Sequence, residues 1–148
     1  MISLISFISP SKEMREIREM KVIQEKIIMQ GTYCPLSFHV AGTLAANVTV
    51  YWKAAFDCVL QHVSAVASNN SDATLKIGDS GDDDEIMTAT AIGDNGTPVE
   101  FDRDDWRIGF NENGRILKGD VVVFTLDYDG VAGTAAQNVT IVAAFTEG

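Results

Sequence analysis

Residues 137–145 have the sequence Gln-Asn-Val-Thr-Ile-Val-Ala-Ala-Phe, in which apolar residues occupy every second position from Val139 to Phe145. Side chains of a β-strand point alternately to its two faces, so this spacing predicts a strand with one buried face. The same alternation occurs at Val48, Val50 and Trp52. These stretches indicate a sheet protein over most of the chain.

Further strands are predicted on both sides, separated by turn sequences rich in Gly, Asn and Asp, such as residues 94–96 and 129–130. The predicted strands cover residues 36–41, 47–52, 58–67, 73–77, 85–92, 98–101, 120–127 and 137–145, with a weaker candidate at 106–110. This arrangement predicts an all-β fold of about eight strands, which is a β-sandwich, a jelly roll or a closed barrel. We expect one such domain over residues 31–148.

Residues 1–30 have a different pattern. Between residues 11 and 29 the apolar side chains are three or four positions apart, which predicts an amphipathic helix that ends near Gly31. Its apolar stripe consists of Met14, Ile17, Met20, Ile23, Ile27 and Ile28. Ahead of it lie the apolar residues Ile2, Leu4, Ile5, Phe7 and Ile8. Two interpretations of this leading stretch are open: an arm that lies on a partner protein, or a frayed or misassigned N-terminus.

The charge of the chain excludes some classes of partner. The formal net charge is −10, so we expect neither direct nucleic acid binding nor binding to anionic membranes. Residues 1–30 contain five basic and four acidic residues and are therefore +1, which leaves −11 for the remainder. The difference predicts two parts with different roles.

The two cysteines, Cys34 and Cys58, are too few for a disulfide framework. They can form one bridge if their strands are neighbours, and we favour two buried free thiols. The N-terminus lacks the basic residue and the cleavage site of a signal peptide, so we expect synthesis in the cytoplasm.

The turn at residues 79–85 carries several carboxylates and is a candidate calcium site through Asp79, Asp82, Asp83 and Asp84. The spacing does not match the helix–loop–helix calcium pattern, and we favour a solvated polar hairpin tip. A second acidic group, Asp102, Asp104 and Asp105, surrounds Arg103 and Arg107. Local salt bridging explains this group at least as well as a metal does.

Catalytic constellations are poorly supported by the sequence. His39 alternates with Phe38 and Val40, so we expect it to point outward together with Ser37. Neither His39 nor His62 accompanies a nucleophile elbow, and the Cys and His residues lack zinc spacing. Seven aromatic residues are candidates for the core or for an interface, and we favour the core: Tyr51, Trp52, Trp106, Phe110, Phe124, Tyr128 and Phe145. We expect no enzyme activity and no cofactor.

Three stretches resemble small structural proteins of phages. They are residues 76–82, where a strand ends in Ile-Gly before an acidic loop, residues 117–130, and the closing strand 139–148. With residues 42–44 they cover much of the predicted β-domain. In pattern and order the chain is similar to the capsid decoration, or cement, proteins.

This resemblance implies a virion protein on the capsid exterior, with a jelly-roll-like domain and no catalytic site. It implies contacts with the major capsid protein and with neighbouring copies in a homo-oligomer, often a trimer. Arms of such proteins reach over adjacent subunits, so the expected partner-binding residues are Ile2, Leu4, Ile5, Phe7, Ile8, Met14, Ile17 and Met20. The helical pattern of residues 11–29 departs from a plainly extended arm. A different class, a ligand-binding β-sandwich such as a carbohydrate-binding, receptor-binding or head-fibre module, is the alternative.

Overall fold

A computed structural model describes residues 32–107 and 115–148 of this chain. The expected arm and amphipathic helix of residues 1–30 lie outside these described residues. Within the described ranges, no helix has the length and apolar character that a membrane crossing requires.

The described part is built from β-strands and one short 3₁₀ helix. The strands are Tyr33–Thr43 (β1), Val48–Lys53 (β2), Cys58–Val66 (β3), Thr74–Asp79 (β4), Met87–Ala91 (β5), Val99–Asp102 (β6), Arg115–Ile116 (β7), Val121–Asp127 (β8) and Gln137–Glu147 (β9). The 3₁₀ helix is Arg103–Asp105. Each of the eight main predicted strands is confirmed, with ends that differ by a few residues. The two-residue strand β7 was not predicted. The weaker candidate at 106–110 is not a strand at Trp106 or Arg107, and its remainder lies outside the described residues.

The strands form two antiparallel sheets, consistent with the predicted β-sandwich. Sheet A has the order β1-β9-β3-β6, and β7 also pairs with β3. Sheet B has the order β2-β8-β4-β5. Because Trp52 of sheet B packs on Phe145 of sheet A, with ring centroids 4.4 Å apart, the two sheets share one core.

Alternation along the strands supplies this core. In β9, Val139, Ile141 and Phe145 are buried, as the sequence pattern predicted. The largest fully buried side chains are Phe124, Phe145, Leu60, Leu75, Ile77 and Met87. Burying apolar surface at about 25 cal/mol per Å² is the main favourable contribution to such a fold.

The connections between strands lie at two ends of the sandwich, and we name each end by its side chains. The "acidic end" comprises the connections at residues 54–57, 80–86 and 117–120. At this end of sheet B, the last paired positions of the strands are Lys53 with Val121 and Asp79 with Val122. The "amide end" comprises the connections at residues 44–47, 67–73, 92–98 and 128–136. There, the backbone N–H of Leu44 donates to the Ala136 carbonyl (2.9 Å).

Candidate functional site

The acidic turn, residues 79–85, connects β4 to β5 and is organised around the Asp79 carboxylate. Asp79 Oδ1 accepts hydrogen bonds from the backbone N–H groups of Gly81 (2.6 Å) and Asp82 (2.8 Å). Gly78 is required just before the turn, because a Cβ atom there would overlap the backbone of Asp82. The sequence folds locally into a tight, self-bonded turn.

Within this turn, Asp79 and Glu85 interact through a hydrogen bond between their carboxyl groups. This hydrogen bond, followed by those from the backbone of Asp82 and Gly81, lowers the pKa of Asp79. The hydrogen bond with Asp79 and burial raise the pKa of Glu85. The carboxyl pairs of glycoside hydrolases are about 5–10 Å apart, with substrate or water between them. Asp79 is instead bonded to the backbone of its own turn, which does not match the arrangement of such a pair.

Two cations neutralise the remaining carboxylates of the turn. Lys76 Nζ lies 2.7 Å from Asp83 Oδ2, and this hydrogen bond raises the pKa of Lys76. One guanidinium nitrogen of Arg107, Nη1, lies 3.2 Å from Asp84 Oδ1 and 3.8 Å from Asp82 Oδ2. The backbone N–H of Arg107 also donates to the Ile86 carbonyl (2.8 Å), which holds the arginine beside the turn.

The structure brings together three of the four calcium candidates. One ligand oxygen each from Asp82, Asp83 and Asp84 lie within 4.8 Å of one another, whereas Asp79 is engaged with backbone N–H groups. Calcium takes six to eight oxygen ligands, and here Lys76 and Arg107 already occupy the carboxylates. The geometry favours the ion-paired hairpin tip, and calcium binding stays a prediction for experiment.

A groove of about 430 Å³ separates the acidic turn from the outer face of sheet B. Asp79, Asp82 and Asp83 form one wall, and Thr49, Tyr51, Val123 and Thr125 lie on the opposite side. Tyr51 is 67% exposed, so its assignment to the core is wrong. The alternation of Val50 and Trp52 toward the core is the sequence signal that places Tyr51 outward.

The second acidic group does not form the predicted local salt bridges in the described residues. Asp102 and Asp105 cap the 3₁₀ helix: Asp102 Oδ1 accepts from the Asp104 N–H (2.9 Å), and Asp105 Oδ2 accepts from the Asp102 N–H (2.9 Å). Arg107 pairs with the acidic turn instead. The carboxylates are placed here by helix capping, which satisfies backbone N–H groups that have no helical partner.

Asp57 organises another part of the acidic end. Its carboxylate accepts a hydrogen bond from the backbone N–H of Lys118 (2.8 Å) and one from Arg115 Nη2 (3.0 Å). The Lys118 hydrogen bond, followed by the charge of Arg115, lowers the pKa of Asp57. A second groove of about 400 Å³ lies here, lined by Phe56, Asp57, Arg115, Lys118 and the C-terminal residues.

The histidines and cysteines occupy separate places. His39 is exposed on the outer face of sheet A, as predicted, and its Nδ1 lies 2.9 Å from Thr140 Oγ1. His62 is half-buried on the same face. Cys34 and Cys58 are free thiols on β1 and β3, which are separated by β9, and burial raises the pKa of Cys58 to about 11. No nucleophile–base pair is formed by these four side chains.

The expected partner-binding residues cannot be placed on this framework, because all eight lie outside the described residues. They are Ile2, Leu4, Ile5, Phe7, Ile8, Met14, Ile17 and Met20.

Comparisons with known proteins give matches only at the level of structure. No family model and no curated protein sequence matches the chain. A chain from the capsid of Ralstonia phage GP4 is 13% identical with a TM-score of 0.50, covering 80% of this chain and 86% of that one. A chain of the Cyanophage Pam1 capsid asymmetric unit is 15% identical, with a TM-score of 0.48 over 79% and 84% of the two chains. The Yersinia pseudotuberculosis-derived mitogen is 12% identical, with a TM-score of 0.35 over 80% and 87%. The GP4 match supports the fold, and the other two scores are too low to support an argument.

Proposed function

We propose that this chain is a virion structural protein: a decoration, or cement, protein that binds the major capsid protein on the outside of a phage shell. The observation that carries the proposal is the fold match with the GP4 capsid chain, which extends over 80% of this chain. The resemblance of residues 76–82 and 117–130 to phage structural proteins supports the same function.

The jelly-roll description of the fold belongs to this proposal. Strands neighbouring in sequence alternate between the sheets at β1, β2 and β3, and β8 and β9 return beside β2 and β1. This order, β1-β9-β3-β6 facing β2-β8-β4-β5, supports a jelly roll, which is a double-sheet architecture of eight strands found in viral capsid proteins.

The described surfaces suit a protein that works by contact. The conspicuous polar clusters are bonded within themselves, because Asp79, Asp102 and Asp57 each accept hydrogen bonds from nearby backbone. Carboxylates used in this way hold loops in place and are not free to act on a substrate. We therefore propose that the chain is not an enzyme.

Residues 1–30 are proposed to reach the shell protein. The stretch that contains Ile2, Leu4 and Phe7 would bury apolar surface on a neighbour, and each contact is repeated by the symmetry of the shell. Even modest single contacts then give strong attachment, since many copies hold one particle together.

The test is binding to purified shells that lack the chain, measured by co-sedimentation with the full-length protein. We expect saturable binding and an increase in the temperature at which the shell opens. Phe7→Asp is expected to weaken binding at least tenfold, while Ser6→Asp, which adds the same charge one position away, serves as the matched control. Absence of binding by the unmodified chain, or equal effects of the two variants, contradicts the proposal.

A second function is favoured by one observation, the exposed Tyr51 beside the carboxylate-lined groove. An exposed aromatic ring next to hydrogen-bond acceptors is suited to stacking on a sugar ring. The alternative is thus a glycan-binding module of the kind found in receptor-binding tips or head fibres. A glycan array with wild type and Tyr51→Ala tests it: a ligand that Tyr51→Ala loses supports this alternative, and an empty array contradicts it.

A further inference from the structure

The two lateral sides of the sandwich, where an edge of sheet A faces an edge of sheet B, are built differently. On one side, the connection from β5 to β6 crosses between the sheets. There, the Gly93 N–H donates to the Ala65 carbonyl (3.0 Å), and the Gly93 carbonyl accepts from the Ala67 N–H (2.8 Å). On the other side, the "open side", lie the edge strands β1 and β2. Within the described residues, these two strands are joined only by the connection at residues 44–47, at the amide end.

The inward side chains of the open side are apolar and only partly buried. By contrast, inward side chains of the neighbouring strands β9 and β8, such as Phe145 and Phe124, are fully buried. The partly buried set alternates along β1 and β2 and packs against the core: Cys34, Leu36, Phe38, Val40, Val48, Val50 and Trp52. Its β1 members span about 20 Å, at about 3.4 Å per residue. A continuous row of apolar surface of this kind marks a place where another segment packs.

The open side also lacks charge. No Asp, Glu, Lys or Arg occurs between Lys26 and Lys53, a stretch that includes all of β1 and all of β2 except its last residue. Addition of a further strand is a poor match for this edge, because Pro35 has no backbone N–H and the register of β1 shifts after Val40. An occupant that packs through apolar side chains, such as an amphipathic helix, suits the open side better.

The chain itself contains such a segment immediately before β1. Residues 11–29 carry the pattern of an amphipathic helix, whose apolar stripe must be buried against some surface. Only residues 30–32 separate this pattern from Tyr33, the first residue of β1, and connections of this length between a helix and a strand are common. A helix over residues 11–29 is about 28 Å long, at 1.5 Å per residue. It is therefore long enough to cover the row from Cys34 to Val40.

Charge and connectivity both favour this occupant. Residues 1–30 have a net charge of +1 and the remainder −11, so the two parts attract each other. A covalently attached segment also has a high effective concentration at a surface of its own chain. We propose that the apolar stripe of residues 11–29 packs on the open side of its own sandwich and completes the core between β1 and β2. Met14, Ile17 and Met20 then have an intramolecular role, and residues 2–8 remain for the shell protein.

Cys34 reports on this packing, because its thiol belongs to the partly buried row, whereas Cys58 is fully buried. The experiment measures the rate at which a water-soluble aromatic disulfide reagent modifies Cys34 in the folded full-length chain, with the labelled cysteine identified by peptide mass. We expect slow modification in wild type and modification about tenfold faster or more in Ile17→Asp, which places a charge in the stripe. Val22→Asp, the matched control, adds the same charge outside the stripe and should leave Cys34 protected.

Each outcome decides the proposal. Protection of Cys34 in wild type and in Val22→Asp, together with its loss in Ile17→Asp and in a second stripe variant, Met20→Asp, supports it. Slow modification of Cys58 in the same samples shows that the sandwich is folded. Equal rates in all proteins, equal effects of Ile17→Asp and Val22→Asp, or protection that is lost on dilution, as expected for the segment of a second copy, overturns it. The assay contains no shell, so its failure is distinguishable from failure of the decoration function.

Discussion

The two ends of the sandwich hold their loops by different means. At the amide end, both amide and carboxylate side chains bridge distant segments: Asn69 donates to the Ala135 carbonyl (3.0 Å) and accepts from the Gln137 N–H (2.9 Å), and Asp72 Oδ2 accepts from the Thr134 N–H (2.7 Å). At the acidic end, loops are held by carboxylates with shifted pKa values and by exposed ion pairs such as Lys76–Asp83. The difference teaches that salt and pH should affect the acidic end more than the amide end, because the ion pairs and the carboxylates with shifted pKa values lie at the acidic end.

The largest expected effect is steric, and it is the same at both ends. A Cβ atom at Gly78 in the acidic end would overlap the Asp82 carbonyl, and one at Gly93 in the amide end would overlap the Thr97 carbonyl. We expect Gly78→Ala and Gly93→Ala each to lower the free energy of unfolding by about 3 kcal/mol, because backbone must move. Urea unfolding measures this loss. Gly81→Ala is the control, since its Cβ would lie 3.3 Å from the Asp79 carboxylate, which can shift. Equal costs at Gly78 and Gly81 would show that the turn is not fixed as described.

The amide end is tested next, through Asn69. Asn69→Ala removes three hydrogen bonds to backbone in a half-buried place, so we expect a loss of about 1–2 kcal/mol that is the same at low and high salt. Chemical denaturation at two salt concentrations is the measurement. Asn70→Ala, at the exposed neighbouring position, is the matched control. A salt-dependent loss would remove the distinction between the two ends.

The sequence predicted the strands because alternation is a local signal. Val139, Ile141 and Phe145 face the core for the same reason that His39 and Ser37 face outward. The two-residue strand β7 was missed, because so short a stretch has no period to detect.

The contacts of the candidate site could not be predicted in the same way. Arg107 pairs with Asp84, 23 positions earlier in the chain, instead of with its acidic neighbours. Asn69 bonds to residues 66 and 68 positions later. Such pairs depend on which strands become neighbours, and local spacing does not encode that order. Helix capping by Asp102 and Asp105, in contrast, is local, and its three-residue spacing was visible in the sequence.

The acidic end should respond to pH through Asp57. Its pKa is lowered in the folded state, so its contribution to stability is complete above the unfolded value of 3.8 and is lost as pH falls through the folded value. We expect Asp57→Asn to lower the melting temperature at pH 6 by less than Asn69→Ala does. The difference from wild type should shrink when both proteins are melted near pH 3. A difference that grows toward acid pH would contradict the direction of this pKa shift.

A smaller effect is expected from the ion pair between Lys76 and Asp83. Both side chains are partly exposed, so Lys76→Met should cost no more than about 0.5 kcal/mol, and the cost should decline with added salt. Lys53→Met removes the same charge from the same face of sheet B and is the control. Urea unfolding at low and high salt distinguishes the two variants. Only the loss of unfolding free energy caused by Lys76→Met should depend on salt, because it is Lys76 that pairs with Asp83 of the acidic turn. A large, salt-independent loss would mean that packing of the lysine stem outweighs its charge.

The smallest expected effect is that of calcium on the unmodified chain. A cation at Asp82, Asp83 and Asp84 must displace Lys76 and Arg107, and the turn is already closed by hydrogen bonds to Asp79. We therefore expect the melting temperatures in millimolar calcium and in chelator to differ by less than about 1 °C. A ligand raises the melting temperature only if it binds the folded state with appreciable affinity. Lys76→Met sharpens the test, since it leaves Asp83 without its ammonium partner and so favours any latent affinity. A calcium-dependent rise of several degrees in the melting temperature of wild type would show that the acidic end is a metal site. Lys76 and Arg107 would then occupy the carboxylates only when calcium is absent. A rise confined to Lys76→Met would show that the lysine keeps the cation out.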